Sequence, residues 1–301
     1  MDRGNSRLSQ RKPHETWLRR CVQASTEPVS RELRLTAARS SAFSRGPAKA
    51  SSIDPKIAER VALIGSSALF RGISKQGLLK IASCARSRSL ERDEFLFMQG
   101  QTIDSLIMIC RGRVKLTQLS SEGIEVILWM AGEGDLVCVP DDSSSRRHSC
   151  SARVKEHCSV LVWERDKLRA LMAQYPIIEN NITLICSRRI RELEERFHEV
   201  ATEKLTQRVA FTLLRLANQI GKPIDGGTEV SVTREELLQF TGSSVFTISR
   251  IISQWAGEGL LLARRESLVL FETQLLAWLR KDDDGSEITS VTSSGSKAKI
   301  Q

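Results

Sequence analysis

Residues 241–255, TGSSVFTISRIISQW, predict a short turn followed by a helix with two unlike faces. Apolar residues recur at steps of three and four, the spacing that places side chains on one face of an α-helix. The opposite face carries small polar groups, one arginine and a phenylalanine. We expect the inward stripe to consist of Val245, Ile248, Ile251, Ile252 and Trp255.

A brief helix is predicted just before this stretch. Thr233 and Glu236 have the spacing of a capping box, in which each side chain accepts a hydrogen bond from the other residue's backbone N–H. Gly242 then makes a turn, and Ser243 or Ser244 caps the next helix. Two helices joined by a glycine-containing turn form a helix-turn-helix. The apolar runs at 260–265 and 267–272 predict a two-stranded wing behind it.

The region from about 90 to 163 has a β pattern instead. Short apolar runs are separated by turn glycines at Gly100, Gly112, Gly123 and Gly132, which is typical of a sandwich, jelly roll or barrel. A helical piece at 77–85 precedes these strands. The runs are EFLFM (94–98), SLIMIC (105–110), RVKLTQL (113–119), IEVILWM (124–130) and SVLVW (159–163).

A long helix is predicted from Pro176 onward, followed by a second helix over about 203–219. The first has an apolar stripe at steps of three and four, with charged residues on its flanks. Such a stripe fits a helix that packs on its own domain, and it also fits a helix that pairs with a second copy. The stripe consists of Ile182, Cys186, Ile190, Leu193, Phe197 and Val200.

The two ends of the chain have the composition of tails. Residues 1–52 lack apolar periodicity, and residues 1–50 contain eleven basic against four acidic residues, so most of the net charge of +9 lies there. This Arg- and Ser-rich stretch is compatible with a disordered extension, with a transit peptide, or with a start codon placed too far upstream. Seven scattered cysteines indicate a reducing compartment, and no stretch is apolar enough to span a membrane.

The order of strands, long helix, capped helix, turn, SSVFTISRII and wing resembles the Crp/Fnr family of bacterial transcription regulators over about residues 69–280. The resemblance implies an α+β fold and a homodimeric, cytoplasmic protein that binds double-stranded DNA, with RNA polymerase as a further candidate partner. The expected parts are a basic extension (1–52), a β-roll or jelly-roll sensor domain (53–175), a dimerisation helix (176–202), a winged helix-turn-helix (203–281) and a tail (282–301). The expected dimer contacts are Ile182, Cys186, Ile190, Leu193 and Phe197.

In such a motif the second helix lies in the major groove, so its polar face becomes a candidate for reading bases. Without that context, the same face would be an ordinary solvated surface. Members of the Fnr branch have Glu-x-x-Ser-Arg here, whereas this chain has Phe246 at the glutamate position, which implies apolar contact, for instance with a thymine methyl group. The candidate DNA contacts are Ser243, Ser244, Val245, Phe246, Thr247, Ser249, Arg250 and Gln254.

The resemblance also implies an effector pocket in the β-roll. Members that bind cyclic AMP hold it with a Gly-Glu pair and a later Arg-Ser or Arg-Thr pair, which align with Cys138 and Val139 and with His148 and Ser149. The glutamate is absent, although Arg146 or Arg147 lies within reach of the arginine position. The effector is therefore unknown, and we do not expect a cyclic nucleotide.

The same region also contains residue types that bind metals and haem. His148, Cys150, His157 and Cys158 cluster in sequence near Cys138, which leaves haem open, although ordinary strand residues would give the same pattern. An iron–sulfur cluster is not expected, since the family's closely spaced N-terminal cysteines are missing. No catalytic motif is found, so an enzyme is not expected. The alternative function is a cyclic-nucleotide, haem or thiol-redox sensing module that acts through protein partners.

Overall fold

The computed structural model describes residues 55–140 and 147–281 of the 301-residue chain. The predicted tails and Arg146 lie outside these ranges. The N-terminal elements are α1 (Pro55–Ser66), a 3-10 turn (Ala68–Phe70), α2 (Lys75–Cys84), β1 (Arg86–Leu90), β2 (Phe95–Phe97), β3 (Ser105–Leu119), β4 (Glu125–Ala131), β5 (Leu136–Cys138) and β6 (Ser151–Glu164). They are followed by α3 (Arg165–Gln174), α4 (Ile177–Thr202), α5 (Leu205–Ile220), β7 (Lys222–Ile224), β8 (Gly227–Val230), α6 (Arg234–Thr241), α7 (Val245–Gly257), β9 (Leu261–Ala263), β10 (Leu268–Leu270) and α8 (272–281).

The first six strands form one antiparallel sheet in the order β1-β6-β3-β4, with β2 paired to β6 and β5 paired to β3. The sheet rolls up around apolar side chains such as Ile109, Val137 and Val160. A second core lies between the roll and helices α1, α2 and α4, and includes Trp163 and Phe70, whose ring centroids are 5.3 Å apart. This is the expected β-roll domain, and the α+β fold is confirmed.

The strand boundaries correct the prediction at Gly112. The runs SLIMIC and RVKLTQL are parts of one 15-residue strand, β3, and not two strands joined by a turn. Gly112 has a φ of +90°, and the pairing of β3 with β6 shifts register around it. A Cβ at this position would lie 2.4 Å from the backbone oxygen of His157. Glycine is needed here for a bulge and a close strand approach, because only glycine tolerates both.

Helix α4 is anchored to its own domain along one face. Ile178 is fully buried, and the Nδ2 of Asn181 donates to the backbone oxygens of Leu69 (2.8 Å) and Arg71 (3.0 Å). Ile182, expected in the dimer stripe, packs against this same core because it lies one turn beyond Ile178.

The other face of α4 is exposed. Ile190, Leu193 and Phe197 are 56%, 50% and 77% exposed, and Cys186 and Val200 are exposed as well. One face of the helix thus packs on its own domain, and the pairing of its exposed face with a second copy stays a prediction.

The C-terminal part contains the predicted helix-turn-helix and wing. Val209, Leu213, Ile248 and Ile252 of its helices are buried, and a sheet in the order β7-β8-β10-β9 joins two strands that precede α6 to the two wing strands that follow α7. Val245 does not belong to the inward stripe, because it lies in the first turn of α7 and is 49% exposed. No helix in the two described ranges is both long enough and apolar enough to cross a membrane.

Candidate functional site

Local interactions fix the geometry of the helix-turn-helix. Thr233 Oγ1 accepts from the backbone N–H of Glu236 (3.1 Å), and a carboxylate oxygen of Glu236 accepts from that of Thr233 (2.9 Å), as the capping box predicts. Helix α6 ends at Gly242, which has a left-handed backbone with φ of 65°. Ser244 then caps α7 by accepting from the N–H of Thr247 (3.2 Å). These contacts fix where α6 ends and where α7 begins.

The outer face of α7 presents the side chains expected to contact DNA. Phe246 is 80% exposed, although burial of a phenyl ring would be favourable. Arg250 is exposed and forms no hydrogen bond or ion pair with any residue of the described ranges. Ser244, Val245 and Gln254 are also exposed, and the remaining candidates, Ser243, Thr247 and Ser249, are partly buried. The structure thus places seven of the eight at the turn before α7 and along its first two turns, and Gln254 nearer its C-terminal end.

Polar side chains connect the helix-turn-helix to the β-roll. Lys155 of β6 forms a salt bridge with Glu236, and the two side chains are only 15% and 10% exposed. The Nε2 of Gln239 donates to Glu125 of β4 (2.9 Å). Arg113 of β3 donates to the last backbone oxygen of α5, that of Ile220 (2.9 Å).

Sequence analysis missed this junction, because nothing in a single strand marks Lys155 as the partner of a residue 81 positions away. The sequence offers one indication of this junction, the capping box. Because the Glu236 carboxylate accepts a hydrogen bond at the start of α6, it is held in place for a second contact.

Of the expected effector residues that the structure describes, Cys138 and His148 contact each other, and Arg147 and Ser149 contact other parts of the chain. The His148 ring stacks on Phe97 with a centroid distance of 3.6 Å and an interplanar angle of 10°. The Sγ of Cys138 lies 4.0 Å from both ring nitrogens of His148, and burial lowers the pKa of this imidazole. Arg147 donates to the backbone oxygen of Gly100 (2.7 Å). Val139 is partly buried, and Ser149 is exposed and offers its backbone oxygen to Gln118 (3.2 Å).

Cys138 and His148 lie close together, but His157 and Cys158, which are adjacent in sequence, have different surroundings. His157 is exposed and lies 3.2 Å from Glu91, whereas Cys158 is buried in the roll. Burial raises the pKa of the Cys158 and Cys110 thiols to about 11, so both are protonated at neutral pH. Within residues 55–140 and 147–281, no three or more His, Cys, Asp or Glu side chains form a group able to hold a metal ion.

Arg189 of α4 lies beside the roll, a contact that the sequence did not predict. Arg189 donates to the backbone oxygen of Leu136, and its guanidinium carbon lies 5.4 Å from the centroid of the Trp129 ring. In the sequence, Ser187, Arg188 and Arg189 follow one another on the predicted helix. Nothing in that run indicates which of the three side chains faces inward.

Comparison with known proteins gives matches to both halves of the chain. Residues 87–175 match the cyclic nucleotide-binding domain family, and residues 207–279 match the Crp-like helix-turn-helix domain family. The CRP-like cAMP-activated global transcriptional regulator of Mycobacterium tuberculosis is 23% identical over 71% of this chain and 97% of its own length. The cyclic AMP receptor protein of Thermus thermophilus is 26% identical over 70% of this chain and 95% of its own length.

Solved structures share the fold. The c-di-GMP responsive global regulator of Xanthomonas campestris aligns with a TM-score of 0.58 at 21% identity, covering 66% of this chain and 99% of that one. A CooA mutant from Carboxydothermus hydrogenoformans aligns with a TM-score of 0.57 at 16% identity, covering 73% of this chain and 99% of that one.

We predict that Lys155→Met lowers the free energy of unfolding by roughly 1–3 kcal/mol, because it leaves the carboxylate of Glu236 shielded from water without its cationic partner. Urea denaturation followed by circular dichroism measures this. The control is Arg86→Met, which removes an ion pair to Glu164 at 2.8 Å whose side chains are 70% and 43% exposed. Equal losses from the two variants would mean that the Lys155–Glu236 pair is energetically an ordinary surface contact.

Proposed function

The chain belongs to the Crp/Fnr family of bacterial transcription regulators, and from that premise we propose that a homodimer reads a two-fold operator through α7. It is a transcription regulator with a Crp-type helix-turn-helix for DNA. The proposal concerns the finer points: which side chains contact bases, how two copies pair, and what the sensor domain responds to. A regulator of this kind works beside the chromosome, so we place it in the cytoplasm.

The observation that supports base reading is the exposed face of α7 around Phe246 and Arg250. An arginine without an internal partner has all its donors available, and arginine pairs with the O6 and N7 atoms of guanine through two hydrogen bonds. The capping contacts at Ser244 and Gly242 hold this end of the helix fixed. A fixed helix end that presents an arginine without an internal partner fits a nucleic-acid partner.

The observation that supports a dimer is the exposed apolar stripe of α4, at Cys186, Ile190, Leu193, Phe197 and Val200. Exposed large apolar side chains at this spacing are favourable only when a second helix covers them. A two-fold pair along α4 would present two copies of α7, which fits half-sites one helical turn apart, about 34–36 Å.

For the sensor, we infer an effector other than a cyclic nucleotide, even though several relatives are named for activation by cAMP. The positions aligned with the phosphate clamp hold a His148–Phe97 stack and the thiol of Cys138, and none of these groups is a cation at neutral pH, because burial lowers the pKa of His148. A cyclic phosphate bound at these positions would therefore find no positive charge among these three side chains.

The test of base reading is selection from random duplexes. We predict that Arg250→Ala weakens binding to the selected site by roughly 1–3 kcal/mol and relaxes one base pair in each half-site. Phe246→Glu should shift the preferred sequence toward a base pair that presents a cytosine amino group. Arg71→Ala, which removes an exposed arginine from the sensor domain, is the control and should leave the motif unchanged. Identical motifs from all these proteins would contradict the assignment of α7.

The dimer is tested by placing charges in the stripe. We predict that the double variant Ile190→Asp, Leu193→Asp is monomeric in light scattering and binds the operator much more weakly, because buried unpaired carboxylates oppose pairing. Ile124→Asp, at a residue 59% exposed on the β3–β4 turn, should remain dimeric. A double variant with the mass of the wild type would remove α4 from the interface.

The sensor proposal predicts that millimolar cyclic AMP or cyclic GMP leaves the melting temperature and the DNA affinity unchanged. A ligand that binds the folded state at 100 times its Kd stabilises it by about 2.7 kcal/mol, so binding would be visible as a melting shift. Scanning fluorimetry across a concentration series measures this. A saturable shift with either nucleotide would show that the pocket accepts a cyclic phosphate.

A further inference from the structure

The small polar side chains around the first turn of α7 have partners inside the protein. Ser244 caps the helix and lies 2.9 Å from the hydroxyl of Thr247, and Ser243 lies 3.1 Å from that of Thr241. At the far end, the Nε2 of Gln254 donates to Glu258 (2.8 Å). These groups can still approach DNA, but each would exchange an internal contact for an external one.

Two long side chains remain prominent on this face. Phe246 is 80% exposed, and Arg250 is exposed without a hydrogen bond or ion pair in the described ranges. They are four positions apart on α7, so they lie one above the other on the same side of the helix, with Cβ atoms about 5–6 Å apart. Successive base pairs are about 3.4 Å apart, so two such neighbours contact the same or adjoining base pairs.

The chemistry of a phenyl ring limits what it can contact in the major groove. Base edges there present nitrogen and oxygen donors and acceptors, and the C5-methyl group of thymine is their apolar feature. A ring placed against a polar edge would remove water from it without replacing the hydrogen bond, which is unfavourable. A ring placed against a methyl group buries apolar surface on both sides. A cytosine methylated at C5 presents the same methyl group.

We propose that Phe246 and Arg250 act as a pair that reads a 5-methylpyrimidine next to a guanine in each half-site. Phe246 covers the methyl group, and Arg250 donates to O6 and N7 of the guanine. Val245, 49% exposed beside Phe246, widens the apolar surface at the same end of the helix. This inference rests on the proposed function of α7 and specifies the chemical group that it recognises.

The experiment replaces thymine by uracil at each thymine flanking the Arg250-sensitive guanine of the selected operator, which removes one methyl group and changes nothing else. At one of these positions the wild type should bind the uracil duplex about fourfold more weakly, the effect of losing one buried methyl. Phe246→Ala should bind the thymine and uracil duplexes equally. Its melting temperature should match the wild type, since the ring is exposed.

Further duplexes with cytosine and 5-methylcytosine at that position separate the two sources of the methyl group. Tighter binding to 5-methylcytosine than to cytosine supports a reader that accepts either base. Equal binding of these two, together with the uracil effect, supports thymine as the source. Equal wild-type binding of thymine and uracil at every position overturns the inference, while the proposed function stands if Arg250→Ala still alters the motif. A wild type without any sequence preference would reject the proposed function itself.

Discussion

The arrangement of the chain depends on the contacts that the buried guanidinium of Arg196 makes. This guanidinium extends from α4, donates to the backbone oxygens of Leu128 and Ile127 in β4 (3.1 Å to Ile127), and lies 5.7 Å from the ring centroid of Phe240 in α6. Burial lowers its pKa to about 10, so it remains charged at neutral pH and its donors must be satisfied. One side chain thus joins the sensor sheet, the long helix and the helix-turn-helix.

Helix α4 has two apolar faces with different surroundings. The face with Ile178 and Asn181 packs against the β-roll domain of the same chain, whereas Leu193 and Phe197 are 50% and 77% exposed. Arg196 lies on the same helix as both of these faces and links it to β4 and to α6.

Sequence reasoning succeeded where the determining contacts are local. The helix-turn-helix follows from Thr233, Glu236 and Gly242, whose contacts span a few residues. It failed where the contacting residues are distant in sequence. The bulge at Gly112 depends on the pairing of β3 with β6, so the sequence indicated a turn there instead. The Lys155–Glu236 pair is not marked by any pattern in either segment. The side chains around His148 were aligned by family resemblance, but their mutual stacking follows only from how strands and loops meet in the fold.

The central claim, that α7 lies in the major groove, is tested most directly by photo-crosslinking. Phe246 is replaced by p-benzoylphenylalanine, whose ketone reacts with groups a few ångströms away on irradiation, and the crosslinked base of the selected operator is mapped. The same replacement at Ile124, also exposed but on the sensor domain, is the reference. The account predicts crosslinks at two symmetry-related positions, one in each half-site, from position 246 and none from position 124. Absence of crosslinks from position 246 on a fully bound operator would contradict it.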